Sequence, residues 1–272
     1  MWRYFETKQY KRIKESQEYI TEVATKYIKE ARNHPDSLVH AYEVGNELNS
    51  KDIATLVSDF LLAGIDTSAN SMAFLLHEVA KHKDVQDDLT RYHDVQRLDH
   101  ELNENALKSF KLGKAIIKES LRLHPISVGV GRNLGEDAIF SGTYIDKCDK
   151  LRCTYPLKFH LLGYHIPKGT LVVTQNQISC RLEQFCPVKP HEFWPYRYLN
   201  EGQRLHPYLS LPFGFGPRMC IGRRLAEMSM QILLYRISQN LYVKDLMTEK
   251  VDCISLLINQ PDRPIRLKFN KK

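Results

Sequence analysis

The feature that most constrains this chain is a short loop that carries a single cysteine. Residues 213–222 hold three glycines and one proline, with Cys220 near the end. That density of glycine and proline forces a tight, specially turned backbone. A helical pattern over residues 222–241 follows at once, and a helix N-terminus favours a thiolate through its unpaired N–H groups and its dipole. The loop therefore predicts a thiolate that binds iron; a buried structural cysteine beside a turn is the alternative.

The other cysteines suggest neither a zinc site nor a disulfide scaffold. The six cysteines stand at 148, 153, 180, 186, 220 and 253, and none forms a C-x-x-C pair. This is too little cysteine for a scaffold held by disulfides in a chain of 272 residues, so we expect most thiols to be reduced. Apolar residues make up 43% of the chain, which is enough to bury a core.

The net charge of +7 fits two interpretations. It can serve solubility alone, or it can form a basic face that steers an acidic partner. No apolar run is long enough to span a membrane. Residues 1–30 mix Lys, Glu and Tyr without the apolar core of a signal peptide, so we expect no targeting segment in this chain.

A long helix is predicted over residues 50–82, with Ser50 as its N-cap, because apolar residues recur there with helical spacing. Gly64 and Thr67 continue the apolar stripe of this helix, so we expect both to face inward. A small residue and a hydroxyl on a buried face suggest a groove for something small or planar. The alternative is a Ser/Thr-rich contact with another helix.

A second helix is predicted over residues 107–124, stopped by Pro125. Glu119 and Arg122 lie one turn apart on its apolar face. Buried charges must be paired, so this spacing favours a structural ion pair over an exposed salt bridge. Short β-like runs follow between residues 126 and 180, and a strand is predicted near the C-terminus. The fold class is therefore mainly α with small β-sheets (α+β).

Several segments resemble motifs of the cytochrome P450 family. The cysteine loop matches each fixed position of the haem signature Phe-x-x-Gly-x-Arg-x-Cys-x-Gly. Residues 63–68 match the oxygen-activation motif Ala/Gly-Gly-x-Asp/Glu-Thr-Thr/Ser, and residues 119–122 and 193–197 match Glu-x-x-Arg and Phe-x-Pro-x-Arg. The resemblance implies the cytochrome P450 fold with haem b as cofactor. It covers only the C-terminal half of the family's length, so residues 1–272 are expected to form a partial P450 domain.

The resemblance implies roles for the residues of the cysteine loop. Cys220 would be the axial thiolate, and its donation to iron favours O–O cleavage. Phe213 would pack against the cysteine and tune this donation, while Arg218 would bind a haem propionate. Gly222 is the last fixed position of this cofactor-binding motif. Arg132 falls where the family often places a further propionate contact.

The resemblance also implies roles on the two helices. Gly64 would make room for O2 above the iron, and Asp66 and Thr67 would relay protons to the reduced oxygen complex. A buried structural network would lock the fold around the cysteine loop through Glu119, Arg122 and Arg197. Tyr196 stands where the family commonly has Glu.

The segment from Gly222 to Glu227, with Thr174 to Gln177, looks like the animal mitochondrial branch of the family, whose members take electrons from a small acidic ferredoxin. Lys114 and Lys118, one turn apart, would form its docking face with Arg224; a solvated helix face is the alternative. The branch implies the matrix side of the inner mitochondrial membrane and a lipophilic, sterol-like substrate beside O2. It implies no nucleic-acid partner, and it allows membrane association only through the preceding half.

Two departures leave other functions open. Residues 143–163 have no counterpart in the family and are expected to be an atypical insertion, either a surface loop or a retained intron. The half-length match is consistent with a truncated, inactive fragment that keeps the haem signature. A haem-thiolate isomerase, which needs no electron donor, is a further alternative, against which the Asp66–Thr67 pair argues.

Overall fold

The computed structural model describes residues 6–45, 48–96, 102–141, 160–200 and 205–272. Within these ranges the chain is mainly helical, as expected. The helices are α1 (Lys8–Ala31), α2 (Leu38–Val44), α3 (Ser50–Lys81), α4 (Lys83–Gln96), α5 (Glu104–Ser109), α6 (Lys111–Leu123), α7 (Asn176–Ser179) and α8 (Arg223–Asn240). None of the described helices is long and apolar enough to cross a membrane.

The strands of the described residues form small antiparallel pairs. They are β1 (Val130–Asn133), β2 (Ala138–Ser141), β3 (His160–Ile166), β4 (Leu171–Thr174), β5 (Leu241–Asp245), β6 (Cys253–Ser255), β7 (Asn259–Pro261) and β8 (Leu267–Lys271). The pairs are β1 with β4, β2 with β3, β5 with β8, and β6 with β7. The expected insertion at 143–163 lies outside the described residues, except for 160–163 in β3.

Helix α3 is the long central helix of the fold. Its 32 residues extend about 48 Å at the standard helical rise. It begins at a capping box in which the Asn49 side chain accepts from the backbone of Asp52, and the Asp52 side chain accepts from the backbone of Asn49. The prediction of Ser50 as N-cap is therefore wrong by one residue, because Asn49 supplies the cap and Ser50 is the first helical residue.

The second predicted helix is divided into α5 and α6 at Phe110. Phe110 leaves the helical conformation (φ −72°, ψ 58°) and its side chain is completely buried. Its ring crosses the first turn of α6, where a Cβ on Gly113 would lie 2.1 Å from a ring atom. Gly113 is therefore required for the aromatic ring to pack there. The prediction of a single helix over 107–124 is wrong at this point, because the backbone of Phe110 is not helical and its ring packs against Gly113.

The main core lies between α3, α4, α6 and α8. Its buried side chains include Leu75, Val79, Leu89, Ile116, Ile117, Met230 and Leu234. Half-buried Phe213 and Ala226 pack against the same cluster. The cysteine loop is therefore seated on the helical core, and α8, within one residue of its predicted bounds, leads directly away from it.

Candidate functional site

The cysteine loop (residues 213–222) is a closed turn. Gly214 and Gly216 have φ values of 73° and 74°, where a side chain would be strained. The backbone N–H of Cys220 donates to the carbonyl of Phe213 at 2.8 Å, and that of Met219 donates to Gly216 at 2.9 Å. These bonds satisfy the turn internally and fix the cysteine at its end.

The side chain of Cys220 is exposed at the end of this loop, whereas Cys180 and Cys186 are buried. Helix α8 starts three residues later with Gly222 as N-cap, and no side-chain oxygen caps it. A Cβ on Gly222 would lie 3.9 Å from the sulfur of Cys220. In this structure Cys220 is thus not the buried structural thiol of the alternative interpretation. It is an exposed thiol just before the N-terminus of α8.

Large apolar side chains border the cysteine loop and the middle of α3 without being covered. In the loop and the first turn of α8, Phe215, Ile221 and Leu225 are each more than half exposed. On α3 the same holds for Leu62 and Ile65. An exposed thiol beside exposed apolar side chains suits an apolar ligand better than a hydrated ion.

The middle of α3 is more open than the sequence predicted. Gly64 and Asp66 are exposed and Thr67 is half-buried. A Cβ added to Gly64 would meet nothing within 4 Å. The expectation that Gly64 faces inward is therefore wrong for this chain, because no described element covers that side of α3. The Thr67 hydroxyl donates to the carbonyl of Ala63 at 2.7 Å, which holds the side chain against the helix and leaves its oxygen able to accept.

The structure brings Glu119, Arg122 and Arg197 together in a buried cluster. Arg122 donates to both carboxylate oxygens of Glu119 at 2.8 and 2.9 Å. Arg197, in a 3-10 turn at Pro195–Tyr198, donates through Nε to the same two oxygens, at 3.1 Å each. All three side chains are at most 1% exposed. Burial lowers the pKa of Arg122, but the hydrogen bonds and charge of Glu119 outweigh it and leave that pKa above its ordinary value.

Backbone groups complete this cluster, and the sequence did not reveal them. Arg122 also donates to the carbonyls of Cys180, Pro190 and Glu192, and Arg197 donates to those of Val188 and Lys189. The N–H of Trp194 donates to Glu119 at 2.9 Å. Two guanidinium groups face one carboxylate, so these carbonyls supply the remaining acceptors. Residues 180–197 are thereby tied to α6 although they contain little regular structure.

Comparison with known proteins agrees with this geometry. The family model described as Cytochrome P450 matches residues 1–152 and 152–269. The chain belongs to the cytochrome P450 family. It is 40% identical over 97% of its length to cytochrome P450 302a1, mitochondrial, from Drosophila melanogaster, and covers 51% of that protein. It is 34% identical over 80% of its length to the mitochondrial cholesterol side-chain cleavage enzyme of Hypanus americanus, covering 38% of it.

These comparisons confirm the predicted family and its mitochondrial branch. The crystal structure of a cytochrome P450 (CYP102L1) matches all of this chain and 59% of its own, with a TM-score of 0.81 at 22% identity, which shows the shared fold. The chain spans about half the length of the curated relatives it matches.

The side chains around Cys220 fit the haem that the P450 family implies. Among the described residues, no group of three His, Cys, Asp or Glu side chains could hold a metal ion. The guanidinium of Arg218 is exposed and has no hydrogen-bond or ion-pair partner in the described part of the chain, so a propionate could bind it. Arg132, also exposed, donates one bond to the carbonyl of Gly131.

The side chains predicted to dock a redox partner lie on two helices that pack together. Lys114 is half-buried and donates to the carbonyl of Lys108 at 3.0 Å. Lys118 is exposed, with its ammonium 5.8 Å from the centroid of the Tyr198 ring. Arg224 is exposed on α8. Of these three, Lys118 and Arg224 are the more accessible to a partner.

The contacts of Arg223 with the cysteine loop were not predicted from the sequence. Arg223 forms an ion pair with Glu227 at 3.0 Å and lies over the ring of Phe213. The spacing of four residues between Arg223 and Glu227 was the one available signal, since such pairs face each other on a helix.

Proposed function

We propose that this chain binds haem b through Cys220 and forms the haem-ligating part of a monooxygenase. The reaction inserts one oxygen atom of O2 into a lipophilic, sterol-like substrate and reduces the other to water. The observation that carries this proposal is the exposed thiol of Cys220, set at the N-terminus of α8 by two glycines with positive φ. The similarity to a cholesterol side-chain cleavage enzyme supports the sterol-like class.

Different residues of the chain would bind different parts of the haem. When bound, a haem with a thiolate ligand supplies the chemistry that cleaves the O–O bond. Cys220 would donate electron density, while Arg218 and Arg132 would neutralise the propionates through charge-assisted hydrogen bonds. Phe213 and Gly222 would keep the sulfur oriented from either side. Apart from Arg132, which lies on β1, these residues all belong to the cysteine loop, so their roles depend on its shape.

Proton delivery is proposed for the middle of α3. The Thr67 hydroxyl now donates to the carbonyl of Ala63. After rotation releases that bond, it would pass its proton toward the pocket while its oxygen takes up another from the solvent side. Asp66 is exposed one residue earlier and can exchange protons with solvent. Gly64 leaves open space one turn away, where O2 would be held. Together they would bring protons to a site that is otherwise bordered by apolar side chains.

We infer that the electrons come from an acidic ferredoxin and that the protein acts in mitochondria, on the matrix side of the inner membrane. Two of the relatives compared above carry "mitochondrial" in their names. Lys118 and Arg224 are exposed cations on packed helices, and the chain has a net charge of +7. A positive face of this kind raises the association rate with an acidic partner and makes it depend on salt.

The haem site is tested by expressing the chain with a haem supply, reducing it and adding CO. We expect the red-shifted Soret band of a thiolate-ligated haem. Cys220→Ser should remove that band, whereas Cys253→Ser, which changes a half-buried cysteine elsewhere, should keep it. A chain that takes up no haem, or a Cys220→Ser variant that keeps the band, would contradict the proposal.

A second candidate is a haem-binding chain that does not complete a turnover. The uncovered apolar residues beside the cysteine loop, among them Phe215 and Leu225, support it. The two candidates differ in ferredoxin-dependent oxidation of a sterol, which only the monooxygenase would show. Turnover that proceeds without any electron donor would point instead to an isomerase.

A further inference from the structure

Arg223, the first residue of α8, contacts three side chains around the cysteine loop. Its guanidinium carbon lies 5.9 Å from the centroid of the Phe213 ring. Its Nε donates to Glu227 at 3.0 Å, and its Nη1 lies 3.6 Å from the sulfur of Met219. Phe213, at the start of the loop, and Met219, just before Cys220, therefore both contact Arg223. Glu227 orients the Arg223 guanidinium from the next turn of the helix.

This contact acts on the same residues that hold the backbone of Cys220. The carbonyl of Phe213 accepts the N–H of Cys220, and the ring of Phe213 packs against the helical core. Arg223 covers the ring from the side of α8, while its own N–H donates to the carbonyl of Cys220 at 3.3 Å. Loss of the Arg223 side chain would thus uncover the ring of the residue that accepts the N–H of Cys220, while the backbone bond from Arg223 to Cys220 would remain.

The ion pair alone does not explain the presence of an arginine. Arg223 and Glu227 are 44% and 32% exposed, so their mutual attraction is largely screened by solvent. A planar guanidinium can instead lie over an aromatic ring while it donates sideways to a carboxylate, and a lysine ammonium cannot combine both contacts in this way. The planarity of the guanidinium, more than its charge, therefore explains why an arginine fits this position.

We propose that Arg223 is a positioning residue for the Cys220 thiolate, acting through the Phe213 ring and oriented by Glu227. The inference rests on the proposed function, since it assigns Arg223 a role in how Cys220 holds haem. It predicts that loss of the planar contact loosens the loop without unfolding the chain. The bound haem would then keep its thiolate ligand less firmly.

The test compares Arg223→Gln and Arg223→Lys with Lys244→Gln, which removes one exposed positive charge from β5, the strand that follows α8. The readouts are the haem dissociation rate, the reduction potential and the red-shifted fraction of the reduced CO complex. Both Arg223 variants should lose haem about two- to fivefold faster than the unmodified chain. This factor is the one expected when the free energy of an exposed cation–π contact is lost. Lys244→Gln should match the unmodified chain.

A double variant identifies the route of the effect. If Arg223 acts through the ring, Arg223→Gln should add little once Phe213→Leu has removed it. A wild-type dissociation rate in Arg223→Lys, or additive effects in the double variant, would overturn the proposal. Amide exchange at Cys220 in the haem-free chain should also be faster in Arg223→Gln, and an unchanged rate would count against it. This measurement tests Arg223 even if the chain takes up no haem, which would instead sink the proposed function.

Discussion

The backbone N–H of Cys220 donates a 2.8 Å hydrogen bond to the carbonyl of Phe213, seven residues earlier in the chain. This bond closes the loop that presents the thiol. It is possible because Gly214 and Gly216 turn the backbone through the left-handed region between the two partners. The position of the sulfur therefore depends on backbone conformation before it depends on any side chain.

Alanine at two open glycines should have opposite effects on the stability of the haem-free chain. An added Cβ would meet nothing within 4 Å at either Gly216 or Gly64. Gly216→Ala should lower the free energy of unfolding by about 1–2 kcal/mol, because its φ of 74° strains an L-residue. Gly64→Ala should raise it by about 1 kcal/mol, because alanine favours a helix interior. Urea unfolding measures both, and effects of the same sign would contradict this account.

Glu119→Gln, which removes the buried carboxylate, should strongly destabilise the protein. Arg122 and Arg197 would be left as two buried guanidinium groups without a counter-charge, and breaking a buried pair in this way costs about 3–5 kcal/mol. Glu104→Gln is the matched control, since it breaks an exposed pair with Lys108 whose attraction is screened by solvent. Equal unfolding midpoints for the two variants would show that the buried cluster contributes no more than a surface pair.

The sequence allowed the helices and the cysteine loop to be predicted because each carries a local signal. The bounds of α3 and α8 follow apolar periodicity, and the loop is defined by its glycines. The two errors in the helices come from contacts that periodicity cannot show. Phe110 interrupts one helix because its ring packs against Gly113, and Asn49 rather than Ser50 caps another.

The site was predictable only in part. Glu119 and Arg122 are neighbours on one helix turn, but the carbonyls of Pro190 and Glu192 that accept from Arg122 are about 70 residues away and give no pattern. The exposure of Gly64 was also beyond sequence reasoning, since the apolar stripe on α3 indicates a buried face only where another element covers it. Long-range contacts, and not local propensity, decided both features.

Stability should decrease in acid because of His93. Burial, and then the positive charge of Lys272, lower the pKa of His93 from 6.5 to about 4. As the pH falls below 6.5, His93 takes up a proton in the unfolded chain while it stays neutral in the folded protein. The contribution of the neutral imidazole to the free energy of unfolding is therefore complete above pH 6.5 and is lost as the pH falls toward 4. The slope is at most about 1.4 kcal/mol per pH unit for this one group. Urea midpoints of His93→Gln between pH 7.5 and 5 should fall less steeply than those of the unmodified chain.

Lys272→Met is a second variant that tests the pH dependence attributed to His93. The substitution removes a positive charge near His93, which should raise the histidine pKa and flatten the pH dependence of unfolding. An unaltered slope in both His93→Gln and Lys272→Met would show that other groups determine the acid sensitivity.

Tyr196 supplies a contact where the family commonly has Glu. Its hydroxyl donates to Asp88 on α4, and burial together with this carboxylate raises the pKa of Tyr196 above its ordinary value. Tyr196→Phe should destabilise the chain by about 1–2 kcal/mol, because a charge-assisted hydrogen bond is lost. Tyr19→Phe, at an exposed position of α1, should have no measurable effect on thermal unfolding. Equal midpoints for the two variants would show that the Asp88 contact is not stabilising.

Electron transfer should slow when Lys118 loses its charge. Lys118 is exposed on α6, and removal of one cation from a basic face lowers the rate of association with an acidic ferredoxin. Lys118→Gln should reduce the haem reduction rate by about threefold at low salt and by less at high salt, since added ions screen the attraction. Lys26→Gln removes an exposed charge from α1 and is the matched control. If both variants slow reduction equally, net charge and not a docking face governs the encounter.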